Sequence, residues 1–197
     1  MRGRSPLGRR GLRAAVEGDL YAEMARSVYG PSFDAADRQR CKTAFLAQLY
    51  GQGARGLAGR LVVTAEQAEE IVGRIHSAYP TLRRWIHDQT MAAEAGRRLR
   101  TAAGRALPRP TRGSYQAVNY LVQGTAADVF RACCARVARA LGAESLWLPI
   151  HDELICQVPA QQADDAGGLL QSAMETELDG VRISGTAVRL GERYAHS

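Results

Sequence analysis

Residues 116–158 read QAVNYLVQGTAADVFRACCARVARALGAESLWLPIHDELICQV, and within them the period of the chain changes. The pattern predicts one long helix from Gln116 to Leu141, closed by Gly142. After it, residues 146–158 are rich in strand formers around a polar tripeptide, which predicts a hairpin with His151-Asp152-Glu153 at or near its turn. Before this helix, residues 97–114 are rich in Arg, Gly and Pro and read as an extended basic connection. Four helices are expected before it. One spans residues 18–30, with Asp19 near its start and Gly30 as its stop. The next runs from Asp34 or Asp37 to Tyr50 and ends at Gly51. A third starts at Thr64, where Thr64 and Gln67 form a capping box and Ala68, Ile71, Val72 and Ile75 recur at helical spacing. The fourth runs from about Leu82 to Glu94, set apart by Pro80. Residues 1–16 read as a loose Arg-rich arm. Downstream, residues 161–178 are expected to be helical and residues 181–190 to form a closing strand. There are no internal repeats. The reading is α+β, with helices first and an antiparallel sheet last, divided as 1–16, 17–115 and 116–197.

The charge is as uneven as the periodicity. Among 197 residues there are 26 basic side chains against 20 Asp and Glu, and Lys42 is the single lysine. The first 13 residues carry five Arg and no acid, and residues 83–112 carry eight Arg against Asp88 and Glu94. The net charge of +6 therefore belongs to two segments, which suits phosphate-rich partners. A solvated Arg-rich face is the alternative on charge alone. The four cysteines, Cys41, Cys133, Cys134 and Cys156, have neither CxxC spacing nor His at finger spacing, so a zinc site and a disulfide framework are both disfavoured. No apolar run reaches the ~18 residues of a membrane span, and the Arg-rich start lacks the apolar core of a secretory signal. A reduced, cytoplasmic setting without membrane partners is expected.

Three constellations could carry chemistry. In the second helix Arg38, Lys42, Leu46 and Tyr50 recur every four residues and share one slowly drifting stripe, with Phe45 and Leu49 on a different face. Two cations a turn apart, then an apolar and an aromatic group, match a nucleoside triphosphate laid along a helix. Arg offers a planar fork to phosphate oxygens and Lys a compact charge that can also donate a proton. An amphipathic helix with solvated basic ends fits the same spacing. Asn119 and Gln123 also sit one turn apart, and uncharged amides can reach base edges or minor-groove acceptors, although such pairs are common on helix surfaces. His151-Asp152-Glu153 is either a solvent-facing turn or a site, since adjacent carboxylates at a strand edge can hold Mg²⁺ together with substrate phosphates.

Taken in order, RQRCK (38–42) with LxxxYG through Gly51, NYLVQGTAAD (119–128) and HDELICQVP (151–159) resemble the later polymerase motifs of family A, polymerase I-like, DNA polymerases. The likeness runs from about Glu17 to the C-terminus. It implies helical fingers plus a partial antiparallel palm, and template-directed addition of deoxynucleotides to a primer 3′ end in replication or repair. Arg38 and Lys42 then resemble the fingers-helix cations that bind the incoming nucleotide's phosphates, with Lys42 a candidate proton donor to the leaving pyrophosphate. Leu46 and Tyr50 fall on the nucleotide-binding stripe, and Tyr50 resembles the tyrosine that packs at the nascent base pair. Asn119, Gln123 and His151 resemble groups near the primer-template, and Arg105 of the basic connection is counted with them. Asp152 is similar to the motif's catalytic Mg²⁺ ligand and Glu153 to its supporting carboxylate. The implied partners are primer-template DNA and deoxynucleoside triphosphates. The implied setting is the bacterial cytoplasm at the nucleoid, or a phage.

The departures from the family pattern carry expectations too. Leu46 stands where Phe or Tyr is usual, Tyr21 where His is common, and Tyr115 where an Arg is expected. The family takes an essential Asp from an earlier palm strand, in a motif containing Gln-Ile-Glu just upstream of where the likeness starts, and residues 1–16 hold no acid. Weak or absent polymerase activity in the isolated chain is therefore expected. The alternative is a non-catalytic DNA- or nucleotide-binding remnant, or a piece that complements a separate N-terminal polymerase polypeptide. An unrelated basic helical domain is a third reading.

Overall fold

The structure is a computed structural model that describes residues 18–190; the arm expected at residues 1–16 lies outside them. The described residues form two compact units, one reaching to Thr125 and the other starting at Ala126.

The first unit is helical, and its helix ends are written in the sequence. Helix α1, Leu20–Tyr29, starts at Asp19, whose side chain accepts from the N–H groups of Tyr21 and Ala22 at 3.1 and 3.0 Å. Gly30 ends it at φ 93°, where a residue without a Cβ meets no penalty. Helix α2, Ala35–Leu49, opens with a reciprocal capping box between Asp34 and Asp37. The short helix α3, Ala54–Leu61, is absent from the sequence expectations. Its sequence, ARGLAGRL, carries two interior glycines and reads as loop, but Leu57 and Ala58 are buried, and packing overrides the weak propensity. Helix α4, Ala65–Ala78, has the expected Thr64–Gln67 box. Helix α5, Pro80–Glu94, begins at Pro80 rather than after it, because the first helical position needs no N–H donor.

These helices close around Met24, Ala25 and Val28 of α1, Cys41, Ala44 and Ala47 of α2, Leu57 and Ala58 of α3, and Ala68, Ile71 and Ile75 of α4. The small residues at 41, 44 and 47 let α2 approach its neighbours closely. Arg74 ties α4 to α1 by donating to the Val28 carbonyl at 3.0 Å.

The basic connection is folded where an extended path is expected. Leu107 N donates to Leu99 O and Thr101 N to Arg105 O, each at 2.9 Å, with a bridge between Arg100 and Ala106. Leu99, Thr101 and Leu107 are buried while Arg98 and Arg100 are exposed, so a two-residue alternation lies beneath the run of Arg. Leu99 and Leu107 pack with Ala117 at the start of helix α6, Ala117–Leu141, which follows a 3₁₀ turn over Ser114–Gln116.

The second unit takes the remainder of α6, then strands β1 (Leu146–Ile150) and β2 (Glu153–Cys156), helix α7 (Ala163–Met174), and strands β3 (Thr176–Leu178) and β4 (Val181–Ile183). The strands pair as two separate antiparallel ladders. In the first, Ile150 faces Glu153 and Leu148 faces Ile155, with an irregularity at Trp147, which is 69% exposed. Two expectations change here. The helix of residues 161–178 ends at Met174, and the strand of residues 181–190 shortens to Val181–Ile183. Both follow from Asp179-Gly180, which stand at φ 49° and 77° and turn the chain so that Leu178 pairs with Val181. Arg136 fastens the end of α7 by donating to the carbonyls of Ala173 at 2.9 Å and Glu175 at 3.0 Å. The four cysteines are free thiols.

Candidate functional site

On α2 the cationic half of the stripe gathers on one aromatic ring. The Arg38 guanidinium and the Lys42 ammonium each lie 5.7 Å from the centroid of Tyr21, which stands edge-on to Phe45 at 6.3 Å. Arg38 also donates its Nε to Asp19 Oδ2 at 2.8 Å. That bond, then the N–H of Ala22, holds the Asp19 carboxyl below the usual aspartate range, and the same partner raises the Arg38 guanidinium. Burial pushes the Tyr21 phenol up. The N-cap of α1 is thus also the anchor of Arg38, a second role that local spacing does not reveal. Lys42 and Leu46 are half-buried on the same helix.

At the end of α2 the structure brings two sequence blocks together. Tyr50 Oη accepts from Gln123 Nε2 at 3.0 Å, across 73 residues of chain. Gly51 follows at φ 71°, and a Cβ there would stand 2.6 Å from the Tyr115 ring and 2.7 Å from its carbonyl oxygen. Glycine is required on both counts, backbone and space. Tyr115, which stands in place of an expected Arg, is therefore a packing partner of the Tyr50-Gly51 corner.

The motif around Gln123 also seats the basic hairpin. Gly124 leaves room for Leu107 and Thr101, Thr125 Oγ1 accepts from Ala102 N at 3.2 Å, and Arg105 Nη2 donates to the Gly124 carbonyl at 3.0 Å. Arg105, read as DNA-binding, is thereby fixed to α6 through one arm of its guanidinium. Asn119 lies one turn before Gln123 and is half-buried. On α5 an open cleft of about 410 Å³ is lined by Pro80, Arg83, Arg84 and His87.

In the second unit, His151 and Asp152 form the turn between β1 and β2 and are exposed, while Glu153 opens β2 half-buried. His151 adopts φ 52°, a left-handed conformation that costs an ordinary residue about 1–2 kcal/mol and recurs at functional turns. The hairpin places the tripeptide where its sequence predicts it. Carboxylate oxygens suit Mg²⁺, so Asp152 and Glu153 fit part of such a site; among the described residues no group of three or more His, Cys, Asp and Glu side chains comes together as one. Nor, among them, is any helix long and apolar enough to cross a membrane.

Comparison with known proteins agrees with the motif reading. The DNA polymerase of Mycobacterium phage D29 is 30% identical over 177 residues, covering 89% of this chain and 29% of that protein. DNA polymerase I of Chloroflexus aurantiacus is 31% identical over 177 residues, covering 80% of this chain and 18% of that protein. The chain thus spans less than a third of the length of these curated relatives. Its fold resembles the POL domain of Pol1 from M. smegmatis, solved in complex with DNA primer-template and dNTP, with a TM-score of 0.71 at 24% identity over 83% of this chain and 32% of that one. The family profile described as DNA polymerase family A matches residues 12–195, and the chain belongs to that family.

Proposed function

We propose that this chain carries the nucleotide-binding fingers helix and the Asp152 hairpin of a DNA-directed DNA polymerase, which adds deoxynucleotides to a primer 3′ end on a template strand. The observation that supports it most directly is the Tyr50–Gln123 hydrogen bond, which joins the end of the cationic helix to the motif assigned to primer-template. Arg38 and Lys42 neutralise the triphosphate, and the proton that the pyrophosphate leaving group needs comes from Lys42. Tyr50 and Leu46 meet the base end. Asn119, Gln123, Arg105 and His151 contact the primer-template. The partners are primer-template DNA and deoxynucleoside triphosphates, and the setting is a bacterial cytoplasm, at the nucleoid or during phage infection.

Polymerases of this family use divalent metal ions. Asp152 would hold Mg²⁺, with Glu153 in support, and the bound ion supplies charge neutralisation at the reacting phosphate. A two-ion transfer site needs carboxylates that bridge both ions, and the hairpin supplies two adjacent ones. The reaction is therefore best read in a graft, with this chain replacing the matching segment of the Chloroflexus aurantiacus enzyme. Template-dependent extension is expected, lost on Asp152→Ala. A graft that binds primer-template tightly yet never extends it would overturn the proposal.

A further inference from the structure

We infer that Tyr21 is a positioning residue for the triphosphate, acting through the face of its ring on Arg38 and Lys42. The inference rests on the functional reading above and names a group on α1 that the reading does not use. Three observations carry it. Both cations lie at the same 5.7 Å from one ring centroid. The ring itself is fixed, since Phe45 meets it edge-on at 6.3 Å and the N–H of Tyr21 is held by Asp19. Asp19 takes the Nε of Arg38 at 2.8 Å, and the four Nη protons that form the phosphate-binding fork lie outside that bond.

The physics favours a phenol in this place. Two like charges one helical turn apart repel; Asp19 offsets part of the Arg38 charge through Nε, and the electron-rich face of the ring offsets more without a second anion that would compete with phosphate. Burial raises the Tyr21 phenol, so the ring stays neutral at physiological pH. Two long, flexible side chains are thereby held with their donors gathered before the nucleotide arrives, which lowers the entropy that binding must remove. A histidine here would act differently, as a hydrogen-bond donor to a phosphate oxygen. In this chain the ring contacts the two cations.

The test is binding of dTTP and dTMP to the 197-residue chain, followed by equilibrium dialysis, with position 21 varied. Tyr21→Phe keeps the ring face and is expected to bind dTTP within about twofold of the parent; Tyr21→Leu loses two cation–π contacts and is expected to bind about tenfold more weakly. Binding of dTMP should change little in either, because one phosphate does not need both cations. Phenylalanines with increasing numbers of ring fluorines at position 21 keep the shape while draining the face of charge, so dTTP affinity should fall stepwise without a change in thermal midpoint. Affinity that is flat across the fluorine series, or a loss in Tyr21→Phe as large as in Tyr21→Leu, overturns the inference. A parent chain that binds dTTP no better than dTMP instead sinks the functional reading on which it rests.

Discussion

Replacing Gly124 by Ala sets two effects against each other. Gly124 lies inside α6, where Ala is favoured over Gly by about 1 kcal/mol. Yet a Cβ there would stand 2.7 Å from Leu107 Cδ2 and 3.1 Å from Thr101 Cγ2. Both are buried side chains of the basic hairpin, at 8% and 5% exposure, so neither can swing into solvent. Overpacking of this kind costs about 1–3 kcal/mol. Gly73, inside α4, has nothing within 4 Å of the same added atom, so Gly73→Ala reports the helix preference alone. In urea unfolding, Gly73→Ala should stabilise by about 1 kcal/mol, while Gly124→Ala falls between neutral and about 2 kcal/mol destabilised. Hydrogen exchange locates the loss. The amides of Thr101, Ala102 and Leu107 donate to Arg105 O, Thr125 Oγ1 and Leu99 O, and they should exchange about tenfold faster for each 1.4 kcal/mol lost. If Gly124→Ala stabilises as much as Gly73→Ala and leaves those amides protected, the hairpin does not pack on the helix and Arg105 is not fixed there.

Three further outcomes follow from the same geometry. Because Arg38 depresses the Asp19 carboxyl, this ion pair contributes stability above the ordinary aspartate pKa and loses it as pH falls through the lower folded value. Thermal unfolding between about pH 2 and 6 should therefore show the midpoint dropping below about pH 4, with a shallower slope in Asp19→Asn. Cys41 is fully buried and its thiol is pushed up to about 11, whereas Cys134 and Cys156 are half-buried. Mass spectrometry after iodoacetamide treatment at pH 8 should find the latter two alkylated well before Cys41. Lys42→Arg should keep dTTP affinity within about threefold but slow extension by the graft at least about tenfold; an unchanged extension rate would remove the proton-donor role.

What the sequence discloses depends on whether the relevant neighbours lie within one helical turn. Asp34 with Asp37 and Thr64 with Gln67 mark helix starts three residues apart, and both boxes form. The stripe of Arg38, Lys42, Leu46 and Tyr50 is legible for the same reason. Helix α3 is not, since two glycines mask a segment whose order comes from burying Leu57 and Ala58. The Asp179-Gly180 turn carries a strong local signal, which a longer helical reading through residue 178 obscures. At the site, the contacts made by Tyr21 bridge α1 and α2, and Gln123 meets Tyr50 from 73 residues away. No periodicity encodes these. Gly124 and Thr125 show the same limit, because their partners in the hairpin lie 17 to 23 residues upstream and the alternation there hides under its arginines.

The single lysine stands on α2. One lysine placed at random among 26 basic positions lands at residue 42 about one time in 26. Its contact with Tyr21 does not account for the choice, since an aromatic face accepts Arg at least as readily as Lys and the neighbouring Arg38 uses the same ring at the same distance. Phosphate binding does not account for it either, because the planar fork of Arg serves phosphate oxygens as well or better. What Arg cannot supply is a proton, its guanidinium staying charged throughout the physiological range. Two cations on one ring, one of each kind, therefore divide the work. Arg38, anchored through Nε by Asp19, holds charge in a fixed orientation. In the proposed reaction Lys42 would hold charge and also pass a proton to the departing pyrophosphate. For that reason affinity and turnover should separate at residue 42 and move together at residue 38.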